Sequence, residues 1–257
     1  MVQLNQNHII KTEVIDSNWK TIYKLGGIAA ILAIMGTLLD ITLTFLPGWG
    51  VSTVPETAIG WFTQFQYNWL LGLRNLDLLN VIISILMIPM FCALYAVHQG
   101  AKKDYATLAI ILFIIGTTIF IGNNTALPML ELSSKYAAAT TETQKTIIAA
   151  AGEAMLARGE HGSPGAFMGF ALSTIASISF AFVMLKGKIF SKTTAYVGIL
   201  GFVLLLIYTV FVTFVSNSNN LIMILAMPGG LLAMGWNIMI ARKLLQLGKK
   251  SNVKGRG

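Results

Sequence analysis

The sequence predicts an all-α fold, a polytopic membrane bundle of six transmembrane helices with one amphipathic helix outside the membrane. Hydrophobic residues make up 55% of the 257 residues and charged residues only 11%, with a mean hydropathy of +0.72. Soluble domains carry about a quarter charged residues. Six apolar stretches are each long enough to cross a hydrocarbon core about 30 Å thick, which needs roughly 20 residues. Basic residues gather in short segments beside alternate ends of these stretches, as they do in multi-pass membrane proteins.

The six spans are predicted over residues 24–46, 73–97, 105–128, 164–186, 193–215 and 220–242. Pro89 and Pro228 predict kinks in the second and sixth spans, which neighbouring helices accommodate in a membrane. The first 20 residues lack the features of a removable signal peptide, so the first span is expected to be retained. We treat residues 1–257 as a single membrane domain that ends in a basic tail over 243–257.

The distribution of basic residues predicts the orientation of the chain in the membrane. Fourteen of the 18 Lys and Arg residues fall on one side of the predicted spans, in both terminal segments and the loops after spans two and four. Only Arg74, Lys135, Lys145 and Arg158 fall on the other side. Because basic loops stay inside, both termini are expected to be cytoplasmic, with the protein in the cell membrane.

The net charge of +8 does not indicate a nucleic-acid partner, because the basic residues flank apolar spans. In that position they set the orientation of the chain and contact anionic lipid headgroups. The single cysteine, Cys92, excludes a disulfide framework. The three histidines, His8, His98 and His161, are too far apart along the predicted topology to share a metal or a haem. Motifs typical of phosphate loops, serine hydrolases, zinc proteases and thiol redox sites are missing, so no cofactor, metal site or catalytic residue is assigned.

Two outer loops are longer than the topology requires. Aromatic residues at 61, 65 and 69 recur every four residues, which predicts an amphipathic helix over Trp61 to Trp69 at the outer interface. Those aromatics either anchor the helix at the interface or form a platform for an aromatic ligand. In the second loop, from Met129 to Ser163, Thr141 and Gln144 fit a capping box. An amphipathic helix should follow, either a lid or a surface connector, with Ile147, Ile148, Ala151 and Met155 packed on the membrane domain.

Four segments of the sequence resemble one known family. They are Tyr136-Ala137-Ala138-Ala139-Thr140, Ala149-Ala150-Ala151-Gly152-Glu153-Ala154, Thr194-Ala195-Tyr196-Val197-Gly198-Ile199-Leu200 and Ala241-Arg242-Lys243-Leu244-Leu245. Together they are similar to domain-of-unknown-function family 4386, a group of uncharacterised prokaryotic multi-pass membrane proteins. The resemblance implies the membrane fold and carries no reaction, ligand or catalytic residue.

Polar residues inside the predicted spans are the candidate ligand-binding residues. An ionisable side chain at mid-span costs roughly 2.5–3.5 kcal/mol on insertion scales, so it requires a partner or water. The candidates are Asp40 in span one; Arg74, Asp77 and Asn80 on one face of span two; Asn123 and Asn124 in span three; and Glu131 just beyond it. The topology places all of them in the outer half of the membrane, where we expect one outward-opening cluster with Arg74 bridging Asp40 and Asp77.

The charges of this cluster leave two interpretations open. With Asp40, Asp77 and Glu131 ionised against Arg74, an excess of negative charge favours a bound cation, a shared proton or a raised carboxylate pKa. Alternatively, the cluster is a satisfied ionic network that only fixes the packing of the helices. His161, in the outer loop beside Glu160, is a further candidate for acid, base or ligand chemistry, although a solvated loop histidine is the simpler interpretation.

Span four carries small residues at a spacing of four, namely Gly165, Gly169, Ser173 and Ser177, which allow close approach of a second helix. The second helix belongs either to the same chain or to another copy in a homo-oligomer.

Three functional hypotheses follow for this protein in the lipid bilayer. The first is binding of a small molecule or cation in an outward-facing polar pocket, as in a transporter or sensor. The second is an accessory or structural membrane subunit without a ligand, and the third is a membrane-embedded enzyme that uses Asp40, Asp77 and His161. An open pocket favours the first, a dry and fully paired cluster the second, and a His161 folded over the carboxylates the third.

Overall fold

The computed structural model describes residues 19–49, 54–100, 103–215 and 219–249. These residues form ten helices, which are α1 (Lys20–Thr44), α2 (Ala58–Tyr67), α3 (Trp69–Asn75), α4 (Leu78–His98), α5 (Lys103–Asn123), α6 (Ala126–Ala138), α7 (Glu142–Gly159), α8 (Pro164–Lys186), α9 (Lys192–Phe214) and α10 (Asn219–Lys249). The predicted all-α class is confirmed. Most of the predicted tail, from residue 250 onward, lies outside the described residues.

Six of these helices, α1, α4, α5, α8, α9 and α10, are long and apolar enough to cross a membrane. They correspond one to one to the predicted spans, so the multi-pass architecture is confirmed. The approximate start predicted for span two, residue 73, falls in α3, because the chain breaks at Asp77 and α4 begins at Leu78. The approximate end predicted for span three, residue 128, falls in α6, because α5 ends at Asn123 and α6 begins after a short break. Both α4 and α10 continue through their prolines.

The six long helices form a closed ring in the order α1, α4, α5, α8, α9, α10 and back to α1. Large aromatic side chains fill the middle of this ring. Phe91 stacks on Phe113 and meets Phe180 edge-on, while Phe202 packs edge-on against Trp236. Close packing of these rings accounts for the largest buried cluster of the protein.

The short helices α2, α3, α6 and α7 pack together at one end of the ring, which we call the cap end. The opposite end, where Lys20, Lys103, Lys186, Lys192 and Lys249 begin or end long helices, is the basic end. A second buried cluster lies under the cap, with Trp61, Phe62, Phe65, Leu76 and Met129 among its members. The cap is therefore a packed layer with its own core.

The predicted helix from Trp61 to Trp69 is only partly correct. The structure has a helix there, but α2 ends at Tyr67 and Asn68 caps the next helix, α3, so Trp69 lies on a different helix from Trp61. Trp61 and Phe65 are buried in the cap core, whereas Trp69 is 53% exposed. Interfacial anchoring therefore does not describe Trp61, because protein rather than solvent or lipid surrounds it.

The capping box at Thr141 and Gln144 is confirmed, and α7 follows it. Ile148 and Met155 pack against the cap core as predicted, but Ile147 is 65% exposed, so that part of the predicted face is wrong. The buried face of α7 instead centres on Gly152, Leu156 and Gly159. A Cβ at Gly152 would lie 2.7 Å from the Phe62 ring, which shows how closely this face approaches α2.

The small-residue stripe of α8 packs against α5 of the same chain. A Cβ on Gly116 of α5 would lie 2.7 Å from the Ser173 nitrogen, and one on Gly169 would lie 2.8 Å from the Phe120 nitrogen. Such close approach of two backbones is what small residues at a spacing of four permit. The intramolecular contact accounts for this part of the stripe, and a homo-oligomer through the Gly165, Gly169, Ser173 and Ser177 face stays a prediction.

Candidate functional site

A polar cavity of about 290 Å³ opens at the cap end, between the ring and the cap. Its lining comes from four parts of the chain that are distant in sequence, and comprises Asp40, Val54, Arg74, Asn75, Asp77, Glu160 and His161. Four of these side chains, those of Asp40, Arg74, Asp77 and His161, are candidates from the sequence. Folding therefore gathers the predicted polar residues of α1, α3 and the α7–α8 turn around one cavity.

Arg74 forms the predicted ion pair with Asp40. Its Nε donates to Asp40 Oδ1 at 2.8 Å, and the side chain of Arg74 is only 13% exposed. The other N–H groups donate to the backbone oxygens of Asp40 and Trp49, to Asn75 Oδ1 and to Thr44 Oγ1. Since a guanidinium has five N–H donors, Arg74 is fully satisfied within the chain, and it holds the end of α1 against α3.

Asp77 occupies a strained turn between α3 and α4. Its φ of +62° lies in the left-handed region, which is uncommon for residues other than glycine. A residue distant in sequence stabilises this turn, because Asn124 Nδ2 donates a hydrogen bond to the backbone oxygen of Leu76 at 2.7 Å. An observed strained residue beside a cavity supports a functional role at that position.

The carboxylate of Asp77 pairs with His161 rather than with Arg74. His161 Nδ1 lies 2.9 Å from Asp77 Oδ2, and Asn80 Nδ2 donates to Asp77 Oδ1 at 2.8 Å. The second ring nitrogen of His161, Nε2, lies 2.7 Å from the Tyr208 hydroxyl. The predicted bridge from Arg74 to both aspartates is therefore wrong, because the helix break at Asp77 turns its carboxylate towards the α7–α8 turn.

His161 is not a freely solvated loop histidine, so the simpler of the two interpretations of this residue is also wrong. Its side chain is 40% exposed and is held between Asp77 on one side and Tyr208 of α9 on the other. The negative charge of Asp77 raises the pKa of His161 from its ordinary value near 6.5 to about 10, against the opposing effect of burial. His161 is therefore a cation at neutral pH and donates both of its hydrogen bonds.

Glu160 adds a third carboxylate to the cavity. Burial is the largest influence on the pKa of Glu160 and raises it, and the charge of Glu153 raises it further. The Trp61 indole and the charge of His161 both lower the pKa, but the net shift is upward. Among the described residues no Lys, Arg or His lies within ion-pair distance of Glu160. Once Asp40 is paired with Arg74 and Asp77 with His161, Glu160 is the cavity carboxylate that has no ion pair within the described residues and only the neighbouring charge of His161 to offset its own.

The remaining candidates lie around the cavity without lining it. Asn80 supports Asp77, as described above. Asn123 Nδ2 donates to the backbone oxygen of Gly165, and Asn123 Oδ1 accepts from Arg158, so this residue ties α5 to the start of α8. Asn124 holds the Asp77 turn. Glu131 does not join the cluster, because it lies on the exposed surface of α6 in an ion pair with Lys135.

Comparison with known families supports the resemblance seen in the sequence. The profile of the domain of unknown function DUF4386 matches residues 28–239, which is most of the chain. The chain belongs to the DUF4386 family. No curated protein and no solved structure shows a significant match. Membership of this family agrees with the six-span architecture. The family description assigns no activity, so the cavity is the feature that bears on function.

Sequence reasoning missed three participants in the site. Tyr208 lies in an apolar run of α9, and the sequence signal for it was a polar aromatic residue well inside a predicted span. For Glu160, the sequence shows only that it directly precedes His161. Trp49 contributes a backbone oxygen to Arg74, which no side-chain pattern could indicate.

The hydrogen bonds around the cavity determine what kind of ligand it suits. The N–H groups of Arg74 and His161 bind partners within the chain. Among the described residues, the cavity-lining Glu160 has no ion-pair partner, and the ion pair of Asp40 uses only its Oδ1. The unused capacity is therefore for accepting hydrogen bonds. Among the described residues, no group of three or more His, Cys, Asp or Glu side chains could hold a metal ion.

Proposed function

We propose that this membrane protein binds a small organic cation in the cavity at the cap end, as a transporter or sensor would. The observation that carries the proposal is Glu160, a partly buried carboxylate that has no ion-pair partner in the described part of the chain, in a cavity whose other charges are paired. A bound cation would compensate the charge of Glu160, and an organic ammonium group would also donate hydrogen bonds to the unused acceptors.

The proposal includes an orientation in the cell membrane. Both termini are cytoplasmic and the cavity opens outward, because 14 of the 18 basic residues lie on the side of the basic end. The pocket then samples the external medium, which suits uptake or sensing of an external cation.

Thermal unfolding of the purified protein tests the binding proposal. The probes are methylammonium, choline and putrescine chlorides, compared with sodium chloride at the same ionic strength. At least one organic cation should raise the unfolding midpoint of the wild type, and Glu160→Gln should abolish that increase. The matched control is Glu131→Gln, the same substitution on the exposed face of α6, which should leave it intact.

The pH dependence of binding adds a second test of the same site. A cation must compete with a proton for Glu160, whose pKa is raised by burial, so cation binding should strengthen as the pH rises through that pKa. Equal midpoints in organic cation and sodium chloride, or an undiminished cation effect in Glu160→Gln, would defeat the proposal.

A structural role without a ligand is the second candidate, and the full satisfaction of Arg74 favours it. All the donors of this guanidinium bind groups of the same chain, as expected of a residue that fixes helix packing. The enzyme hypothesis draws on the contact of His161 with Asp77. However, an imidazolium whose pKa is about 10 is already protonated at neutral pH and is poorly suited to act as a general base.

A further inference from the structure

A second cavity, of about 370 Å³, lies at the basic end between the start of α9 and the last part of α10. From α10 it is lined by Met239, Arg242, Lys243 and Gln246, which share one helical face at spacings of three, one and three. From the other side Ser191 and Thr194 close it. Its volume is within the range of about 300–1,000 Å³ that is common for small-molecule sites.

The two cations of this cavity, Arg242 and Lys243, have no ion-pair partner in the described part of the chain. No carboxylate of the described residues lies within ion-pair distance of Arg242 or Lys243. Asp104, at the start of α5, is the one carboxylate that the described part of the chain places at the basic end. Two unpaired cations side by side repel each other, and an anion between them relieves that repulsion.

The other groups of the cavity suit a phosphate attached to an apolar chain. Ser191 is the N-cap of α9, so the positive end of that helix dipole adds to the field of Arg242 and Lys243. Phe190 and Met239 supply an apolar side to the same cavity. A polar and cationic part next to an apolar part matches a phospholipid better than a freely soluble anion.

The position of the cavity along α10 also agrees with a lipid headgroup. With 31 residues, α10 is about 46 Å long at 1.5 Å per residue, well beyond the roughly 30 Å of a hydrocarbon core. Arg242 and Lys243 lie in the C-terminal third of this helix, which places them at the level of the headgroups. Basic pockets between helices at that level are a recurrent form of anionic-lipid site.

We propose that the cavity formed by Ser191, Thr194, Met239, Arg242, Lys243 and Gln246 binds the phosphate headgroup of an anionic phospholipid. This site is separate from the cap-end cavity and does not depend on the function proposed for it.

Native mass spectrometry of the detergent-purified full chain, with either phosphatidylglycerol or phosphatidylcholine added, tests this site. The wild type should retain phosphatidylglycerol in preference to phosphatidylcholine. The double variant Arg242→Gln with Lys243→Gln should lose that affinity by about ten-fold or more, since each basic residue near a lipid surface contributes a several-fold factor. The matched control, Lys103→Gln with Lys249→Gln, removes the same charge from the same end and should behave as the wild type.

The exchanged variant, Arg242→Lys with Lys243→Arg, keeps the charge and should keep the lipid, which distinguishes loss of charge from loss of fold. Equal losses in the two Gln double variants would reduce the effect to general surface charge and overturn the proposal. An unchanged lipid preference in the Arg242 and Lys243 double variant would overturn it as well. Displacement of the lipid by soluble glycerol phosphate at similar concentration would reassign the cavity to a soluble phosphate ester.

Discussion

Arg74 shows how a single charged residue can be accommodated at the edge of an apolar bundle. Its guanidinium is almost covered, and its acceptors come from α1, the segment after α1 and its own helix. A planar group with several donors can satisfy such a set, whereas the point charge of a lysine could not. The same contacts bring α1 and α3 together and so form one wall of the cap-end cavity.

Replacing Arg74 with Ala should therefore destabilise the protein strongly. The expected loss is about 3 kcal/mol, the lower end of the range for breaking a buried ion pair, because Asp40 is 30% exposed. In a double-mutant cycle with Asp40→Ala, the double variant should lose about 1–3 kcal/mol less free energy of unfolding than the two single variants lose together. Reversible unfolding in mixed micelles measures all four stabilities, and additive losses would show that the pair contributes no coupling.

His161 gives the protein a specific dependence of stability on pH. Its folded pKa of about 10 lies above the ordinary value near 6.5. The stabilisation from the pair with Asp77 is thus complete below about pH 6.5 and is lost as the pH rises towards 10. The unfolding midpoint of the wild type should fall across this window more steeply than that of His161→Gln.

A control for this pH experiment is Tyr208→Phe, which removes the hydroxyl contact and keeps Asp77, the larger cause of the raised pKa of His161. This variant should retain most of the pH dependence. Parallel pH profiles for the wild type and His161→Gln would contradict the ionic pairing of His161 with Asp77.

At the scale of elements, breaks between helices decide which polar residues meet. A continuous span from residue 73 would keep Asp77 and Arg74 on one face, as the spacing predicted. The break at Asp77 instead separates α3 from α4 and turns that carboxylate towards His161. The break depends on a left-handed residue whose turn is held by Asn124, from the short break between α5 and α6, and such tertiary support is not visible in local sequence.

The contact between α5 and α8 offers a prediction with a control inside the same helix. Gly116→Ala would place a Cβ 2.7 Å from the Ser173 nitrogen, so the two helices must separate. Overpacking of this kind costs about 1–3 kcal/mol. Gly122→Ala in α5 meets no atom within 4 Å and should be neutral or stabilising by up to about 1 kcal/mol, since Ala is the better helix former.

Thermal unfolding of both glycine variants in the same detergent provides the comparison. A Gly116→Ala protein as stable as Gly122→Ala would mean that the close approach of α5 and α8 is not required for packing.

At the scale of the whole molecule, hydropathy predicted all six spanning helices, because burial in lipid leaves a long and simple signal. The depth of the spans likewise placed Asp40, Arg74 and Asp77 at one end, and the topology placed the loop that carries His161 at the same end. It predicted the ion pair of Arg74 with Asp40, but it missed the contacts of Asp77 and Tyr208 with His161 and the burial of Trp61 in the cap core. Those features depend on contacts between residues far apart in sequence, which periodicity does not encode.

The cap covers the ring at one end and helps to form the cavity. Its helix α3 supplies Arg74, and the turn that follows α7 supplies Glu160 and His161. Residues of α7 and α2 pack closely, and Glu153 of α7 accepts a hydrogen bond from the backbone nitrogen of Ala58 at 2.7 Å. The α7–α8 turn that carries His161 is thus positioned by the cap core. Whether this assembly meets the external medium depends on the orientation of the whole chain.

Cysteine labelling of intact cells tests that orientation on a background in which Cys92 is replaced by Ala. Thr140→Cys lies in the exposed connection between α6 and α7 at the cap end, and Ser251→Cys lies in the basic tail outside the described residues. The asymmetry of 14 to 4 basic residues predicts that a membrane-impermeant maleimide labels Thr140→Cys in intact cells and Ser251→Cys only after permeabilisation. Because basic segments resist translocation across the membrane, we expect the basic end to stay cytoplasmic and the cap with its cavity to face out. The reverse labelling pattern would place the cap-end cavity in the cytoplasm, and a cation bound there would then be an internal one.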